Sequence, residues 1–180
     1  MQRKPTHRTQ LYITPQATGA CANGFLHTPD TAEELVGLGF RHWMRGCQTG
    51  DVDHWAKAWT LYSNRLGPTR AKTVMGELSG WVQLVSCRAR RSIEVAPEDC
   101  AQFCRDECLA VSMIAAAQHK TCPAMRACTF ALLEDSMIEE VVDRSDRFAL
   151  MLRASDQVLS QNAIFAGDLS GLTPVSGTYQ

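Results

Sequence analysis

The sequence predicts an all-α protein, a bundle or orthogonal array of about six helices with loose N- and C-terminal arms. Three observations support this class. Apolar residues recur at helical spacing from about residue 30 to 161, and residues that cap or end helices divide that region. The best strand candidate, SIEV at 92–95, has no second strand to pair with. We therefore expect one helical domain at 30–161, a flexible basic arm at 1–29 and a flexible tail at 162–180.

Composition and charge limit the classes of protein that fit. The chain of 180 residues is 45% hydrophobic and 21% charged, which is sufficient for one globular core. Its net charge of -1 is unlike that of proteins built to coat nucleic acid. No apolar run reaches the roughly 18 residues of a membrane-spanning helix, and the N-terminus lacks the apolar core of a secretory signal. We therefore expect a soluble cytoplasmic protein that does not bind membrane and is not built as a whole to bind nucleic acid, with eight mainly reduced cysteines.

The first helix is predicted from about Thr31 to Cys47. Thr31 and Glu34 have the spacing of a capping box, in which each residue caps the backbone N–H of the other. The apolar face carries Gly39 and Gly46, which weaken the helix by about 1 kcal/mol each relative to Ala. Glycines on an apolar face allow close packing, so we expect a neighbouring helix to approach there.

The second helix is predicted at about 51–66 and the third at about 69–90. Asp51 is the N-cap of the second helix, and a Gly-Pro pair at 67–68 separates the two. Each helix has an apolar stripe that we expect to face the core. The second helix has Val52, Trp55, Trp59, Tyr62 and Leu66 in this stripe. The third helix has Ala71, Val74, Leu78, Trp81, Val82 and Val85.

Three further helices are predicted at about 97–118, 121–134 and 136–161, and one bent helix is the alternative for the last two. Pro97, followed by two acidic residues, has the pattern of a helical first turn. Thr121 is the predicted N-cap of the fifth helix. The expected inner face of the fifth helix includes Met125, Cys128 and Leu132. The expected inner face of the sixth consists of Ile138, Val141, Phe148, Leu152 and Leu159.

The run EDCAQFCRDECLA in the fourth predicted helix contains a cysteine at every fourth position. On a continuous helix, Cys100, Cys104 and Cys108 would form a slowly winding column on one apolar side. Glu107 would project into the same side, where a carboxylate needs a charged partner, hydrogen bonds or a metal. The candidate charged partners are Arg41, His42, Arg88 or another basic side chain.

Three interpretations of this cysteine face are open. The thiols pack as small apolar side chains, bind a soft metal or iron–sulfur cluster, or act as a redox switch. Zn, Cu and an iron–sulfur cluster are the candidate cofactors. The candidate ligands are Cys100, Cys104, Cys108 and Glu107, joined by Cys47, Cys122 or Cys128 from neighbouring helices. The C-x3-C spacing is similar, in spacing only, to the cysteine pairs that hold Cu(I) in helical copper-storage bundles, whose dense cysteine lining this chain lacks.

The basic run at the end of the third helix is a second candidate site. Arg88, Arg90 and Arg91 could contact an anion or nucleic acid, although cations at a helix C-terminus also complement the helix dipole. The sequence contains no nucleotide-binding glycine loop, no HExxH zinc motif and no nucleophile elbow. No reaction or substrate is therefore predicted.

Together these patterns predict a small regulatory or sensor protein with a cysteine-based metal, iron–sulfur or redox-switch site. The alternative is a ligand-free adaptor whose cysteines serve only as core packing. Such an adaptor would bind a protein partner through a helix surface or through its terminal arms.

Overall fold

The computed structural model describes residues 29–165, and this range consists of helices and loops without a strand. The elements in chain order are α1 (Ala32–Thr49), α2 (Val52–Leu66), α3 (Pro68–Arg88), α4 (Arg105–Gln118), α5 (Cys122–Leu133), α6 (Glu139–Ala154) and the 3-10 helix η1 (Gln161–Phe165). The predicted all-α class is confirmed. Residues 1–28 of the predicted arm and 166–180 of the predicted tail lie outside the described residues. Within the described range, no helix combines the length and the apolar character needed to cross a membrane.

The N-caps predicted for the first two helices are present. The Glu34 N–H donates to Thr31 Oγ1 at 3.2 Å at the start of α1. The Asp53 N–H donates to Asp51 Oδ1 at 3.0 Å at the start of α2. Because these side chains satisfy backbone donors that the helix leaves free, they fix where both helices begin.

Helices α1 and α2 pack closely because glycines on α1 make room for aromatic rings of α2. A Cβ atom on Gly39 would lie 2.6 Å from Tyr62 Oη, and one on Gly46 would lie 2.3 Å from Trp55 Nε1. Both distances are well inside ordinary van der Waals contact, so neither glycine can gain a side chain without movement of a ring. The close approach predicted for this face of α1 is confirmed.

The apolar stripe of α2 is narrower than predicted, whereas that of α3 is confirmed in full. Val52 is 65% exposed and Trp59 is 41% exposed, and the buried residues of α2 are Ala58 and Tyr62. The reason is that α2 packs mainly on α1 and α3, which leaves much of its surface uncovered. All six predicted stripe residues of α3 are buried.

Helix α4 is the centre of the fold. All of its residues from Asp106 to Gln118 are buried, and α1, α5, α6 and η1 pack around it. Apolar or small side chains on every side are typical of a helix that is fully surrounded. Three consecutive alanines at 115–117 allow the neighbouring helices to come close.

The predicted start of the fourth helix at Pro97 is wrong. Helix α4 begins at Arg105, and residues 89–104 form a loop without helix or strand. A turn forms at Pro97, where the Cys100 N–H donates to the Pro97 carbonyl at 3.1 Å. Charged and polar side chains of α1 and α4 bind other backbone groups of this loop, and this tertiary bonding replaces the helical hydrogen bonds that the local sequence favours.

Helices α5 and α6 are separate, and α6 is shorter than predicted. Glu134 ends α5 in a left-handed conformation (φ 52°), and α6 spans Glu139–Ala154 instead of 136–161. The buried residues include every one predicted for the inner face of the sixth helix, namely Ile138, Val141, Phe148, Leu152 and Leu159. Residues 162–165, predicted to begin the loose tail, belong to η1. Ser112 of α4 donates to the Ala163 carbonyl at 2.7 Å and fixes η1 on the central helix.

We expect Gly39→Ala to destabilise the protein by about 1–3 kcal/mol, because the added methyl group meets the fully buried Tyr62 ring. Gly76→Ala is the matched control. Nothing lies within 4 Å of a Cβ atom at Gly76 on α3, so this change should stabilise the helix by up to about 1 kcal/mol. Urea unfolding of both variants measures the difference. Equal stability of the two would contradict the tight α1–α2 contact.

Candidate functional site

The buried carboxylate of Glu107 is paired with Arg41. Both side chains are 0% exposed. Arg41 Nε donates to Glu107 Oε1 at 2.7 Å, and Arg41 Nη2 donates to Glu107 Oε2 at 3.1 Å. Of the partners that the sequence offered for this carboxylate, Arg41 is therefore the one that neutralises it. A two-bond arginine–carboxylate pair of this kind fixes both side chains in one geometry.

The same ion pair holds the loop that precedes α4. The other Arg41 donors bind the carbonyl oxygens of Pro97 (3.3 Å), Cys100 (2.8 Å) and Gln102 (2.8 Å). Glu107 accepts hydrogen bonds from the backbone N–H groups of Ala96 (3.1 Å) and Cys104 (2.8 Å). The guanidinium also lies over the Phe103 ring, 5.5 Å from its centroid. The middle of the loop is thus wrapped around one buried ion pair.

A second ion pair holds the beginning of the loop. Arg91 donates from both terminal nitrogens to the buried Asp106 carboxylate, each at 2.6 Å. Asp106 also accepts a hydrogen bond from the Glu94 N–H at 2.8 Å. Hydrogen bonding to Asp106 raises the pKa of Arg91 further, so its charge is permanent. Two adjacent acidic residues in the first turn of α4 therefore anchor two different parts of the loop.

The basic run predicted as an anion contact is engaged by carboxylates. The pairs are Arg88 with Glu140, Arg90 with Asp135 (3.0 Å), and Arg91 with Asp106 and Glu134. Each guanidinium in the run therefore already has an acidic neighbour, which lowers the positive potential available to an anion or nucleic acid. The anion contact stays a prediction, and this pairing gives it no support.

The predicted cysteine column does not form, because two of its three members precede α4. Cys100 lies in the loop, Cys104 is the N-cap of α4, and Cys108 is buried in its first turns. The Cys104 thiol donates to the Glu94 carbonyl at 3.2 Å, and Cys108 Sγ lies 3.8 Å from the Phe103 carbonyl oxygen. These two thiols are bonded to the backbone rather than aligned toward a common centre.

Burial disfavours the thiolate form of the inner cysteines. It raises the pKa of Cys104 to about 12 and that of Cys128 on α5 to about 11. Burial also raises the pKa of the half-buried Cys47. Cys122 is exposed at the first position of α5. Because the thiolate is the nucleophilic form, these buried thiols are unreactive in the absence of a metal.

One group of metal-ligating side chains does converge within the described part of the chain. One donor atom from each of His42, His54 and Glu98 lies within 4.8 Å of the other two. No cysteine sulfur among residues 29–165 belongs to such a group of three. The cysteine ligand set therefore stays a prediction without a preformed cluster.

Three elements bring this histidine–glutamate cluster together. His42 lies on α1, His54 in the first turn of α2, and Glu98 in the turn that follows Pro97. His54 Nδ1 lies 2.8 Å from Glu98 Oε1. Lys57, one helical turn after His54, places Nζ 2.5 Å from Glu98 Oε2. The two oxygens of a single carboxylate thus face different partners.

The protonation states of His42 and Glu98 favour metal binding at this cluster. Burial lowers the pKa of His42 below its ordinary value of 6.5, and this effect outweighs the opposing charge of Glu98, so the imidazole is neutral at pH 7. The Lys57 hydrogen bond lowers the pKa of Glu98, which is ionised. Two imidazoles and one carboxylate form the donor set of many Zn²⁺ and Fe²⁺ sites in proteins.

Sequence reasoning missed this cluster for a physical reason. In the sequence, His42 is a candidate partner of Glu107, His54 lies outside the apolar stripe predicted for α2, and Glu98 belongs to the acidic pair that follows Pro97. No short motif links three residues on different segments. The cluster exists only because residues 97–100 form a turn in the loop rather than the start of a helix.

We expect Arg41→Met and Glu107→Leu each to destabilise the protein by about 3–5 kcal/mol, because each leaves one buried charge without a partner. The double variant should lose less than the sum, since neither charge remains. Chemical unfolding of the four proteins in this cycle measures the coupling. Additive losses would show that the pair does not act as a unit.

The rate at which each cysteine is labelled by a thiol reagent should fall as its burial increases. Exposed Cys87 and Cys122 should react with a thiol reagent at least about a hundredfold faster than Cys104 and Cys128, whose thiolates are scarce and shielded. Mass spectrometry of partially labelled native protein gives the order, and labelling in denaturant is the control. Rapid labelling of Cys104 in the native protein would contradict the buried, protonated thiol.

Comparisons of the chain with protein-family models, curated proteins and solved structures found no match. The chemistry of the cluster formed by His42, His54 and Glu98 therefore rests on its own geometry.

Proposed function

We propose that this protein is a small metal-responsive regulatory protein that binds a divalent transition-metal ion through His42, His54 and Glu98. The observation that carries the proposal is the convergence of one donor atom from each side chain to within 4.8 Å of the others. A modest inward movement of these donors would bring them to the roughly 2 Å ligand distances of Zn²⁺. The proposed function is in the regulatory class expected from the sequence, but its ligands are these three side chains instead of the cysteines.

The chemistry of the donors supports an ion of intermediate softness. Imidazole nitrogens suit Zn²⁺, Ni²⁺, Co²⁺ and Fe²⁺, and one carboxylate adds a harder oxygen donor. Three protein ligands leave at least one coordination position for water or a small molecule. The proposal keeps the cytoplasmic location and reduced cysteines expected from the sequence.

The location of the cluster supports a regulatory rather than a storage role. Its ligands come from three segments, and one of them is a loop whose turn is exposed at Glu98, with 36% of that side chain accessible. The backbone on both sides of Glu98 is held by Arg41, which donates to the Pro97 and Cys100 carbonyls. A bound ion would therefore change mainly the Glu98 side chain and its exposed contacts, a local surface that a partner protein could read.

We expect metal-free protein to bind one equivalent of Zn²⁺ or Co²⁺, measured by calorimetry after treatment with chelator. His54→Ala and Glu98→Gln should each weaken binding by at least roughly tenfold, the loss typical even when only a hydrogen-bond partner of a ligand is removed. His119→Gln is the matched control, because His119 contacts the Leu159 carbonyl at 2.8 Å and lies outside the cluster.

The Co²⁺ spectrum separates this site from the cysteine site predicted from the sequence. Thiolate ligands add an intense charge-transfer band in the near ultraviolet, which imidazole and carboxylate ligands lack. We expect visible bands without that charge-transfer band. Absence of stoichiometric binding, or binding that survives both His54→Ala and Glu98→Gln, would refute the proposed site.

A further inference from the structure

We infer that Lys57 competes with the metal ion for Glu98 and so sets the affinity of the site. This inference rests on the proposed function, because it concerns regulation at the same three ligands. It is carried by the position of the Lys57 ammonium, 2.5 Å from one oxygen of the carboxylate whose other oxygen lies 2.8 Å from His54. Without a metal, Lys57 is the cation that neutralises Glu98.

The geometry makes Lys57 a substitute for the ion rather than a remote surface charge. Its place one helical turn after His54 brings its ammonium to the carboxylate that a metal would need. Among the described residues, Lys57 and His54 are the basic side chains that form ion pairs with Glu98. The Glu98–Lys57 pair holds the turn at 97–100 against α2 when no metal is bound.

Two opposite effects of Lys57 on metal binding are physically possible. As a positioning residue, it orients Glu98, and its loss would weaken binding. As a positive charge close to the ligands, it repels a divalent ion, and its loss would strengthen binding. The second effect is the larger one here, because His54 and the bonded loop also position Glu98 when Lys57 is lost. The positive charge of Lys57, in contrast, is not offset by another acidic partner, since Glu98 is the acidic group paired with it among the described residues.

The consequence is a site that binds its ion reversibly. Each binding event must displace or tolerate a resident positive charge, so affinity is lower than the three ligands alone would give. Lower affinity suits an ion whose free concentration is to be reported rather than an ion that is to be kept permanently. The ammonium that metal binding displaces is nearly half exposed, with 48% of the side chain accessible, so it can turn into solvent without steric hindrance.

A charge series at one position tests this inference. We expect Lys57→Gln to bind Zn²⁺ about tenfold more tightly than the unmodified protein, and Lys57→Glu to bind more tightly still. Lys57→Arg, which keeps the charge, should bind with nearly unchanged affinity. Lys120→Gln is the matched control for net charge, because Lys120 lies 3.9 Å from Asp146 of α6 and outside the cluster.

The sign of the change separates competition from positioning. A merely structural lysine would give weaker binding in both Lys57→Gln and Lys57→Glu. The gain in Lys57→Gln should also shrink as the ionic strength rises, because salt screens the partly exposed charge. Weaker or equal binding by Lys57→Gln would overturn the inference and leave the metal site intact. Absence of Zn²⁺ binding by every protein, the unmodified chain included, would overturn the proposed function and the inference with it.

Discussion

The buried pair of Arg41 and Glu107 is the interaction on which the rest of the structure depends. Removing two charges from water costs several kcal/mol per ion, so such a pair persists only where further hydrogen bonds satisfy it. Here those bonds come from three carbonyl and two N–H groups of one loop. The loop at 89–104 has no secondary structure of its own, and its backbone groups need partners as much as the two charges do. The ion pair and the loop therefore stabilise each other.

The candidate metal site follows from this arrangement and from the glycines of α1. His42 is the next residue after Arg41, about 100° farther around α1. Helix α1 therefore binds the loop through Arg41 and reaches Glu98 in the turn of that loop through His42. The left-handed Gly50 (φ 73°) reverses the chain after α1. Close packing at Gly46 then brings the first turn of α2, with His54, back beside His42. Helix α1, helix α2 and the loop before α4 thus supply one ligand each.

Helical periodicity predicted the number of helices and most of their faces, because amphipathic segments such as α3 carry that signal in their own residues. It failed where tertiary bonding overrode local preference. The pattern at Pro97 is a good helix start, yet Arg41 and Glu107 bind the backbone there in a different shape. The cysteine column depended on that helix and was lost with it. The histidine–glutamate cluster could not be predicted because its members share no periodic or local relationship.

The cluster has a purely structural explanation that accounts for only part of it. His54, Glu98 and Lys57 form a polar contact between α2 and the loop, and such a contact needs no metal. This explanation leaves out His42, which is neutral. Its Nδ1, like that of His54, is buried without a hydrogen-bond partner among residues 29–165. A buried polar atom left in that state costs about 1–3 kcal/mol. A metal ion that uses this imidazole as a ligand would engage the member of the cluster that the contact does not use, and this favours an ion-binding role over a structural one.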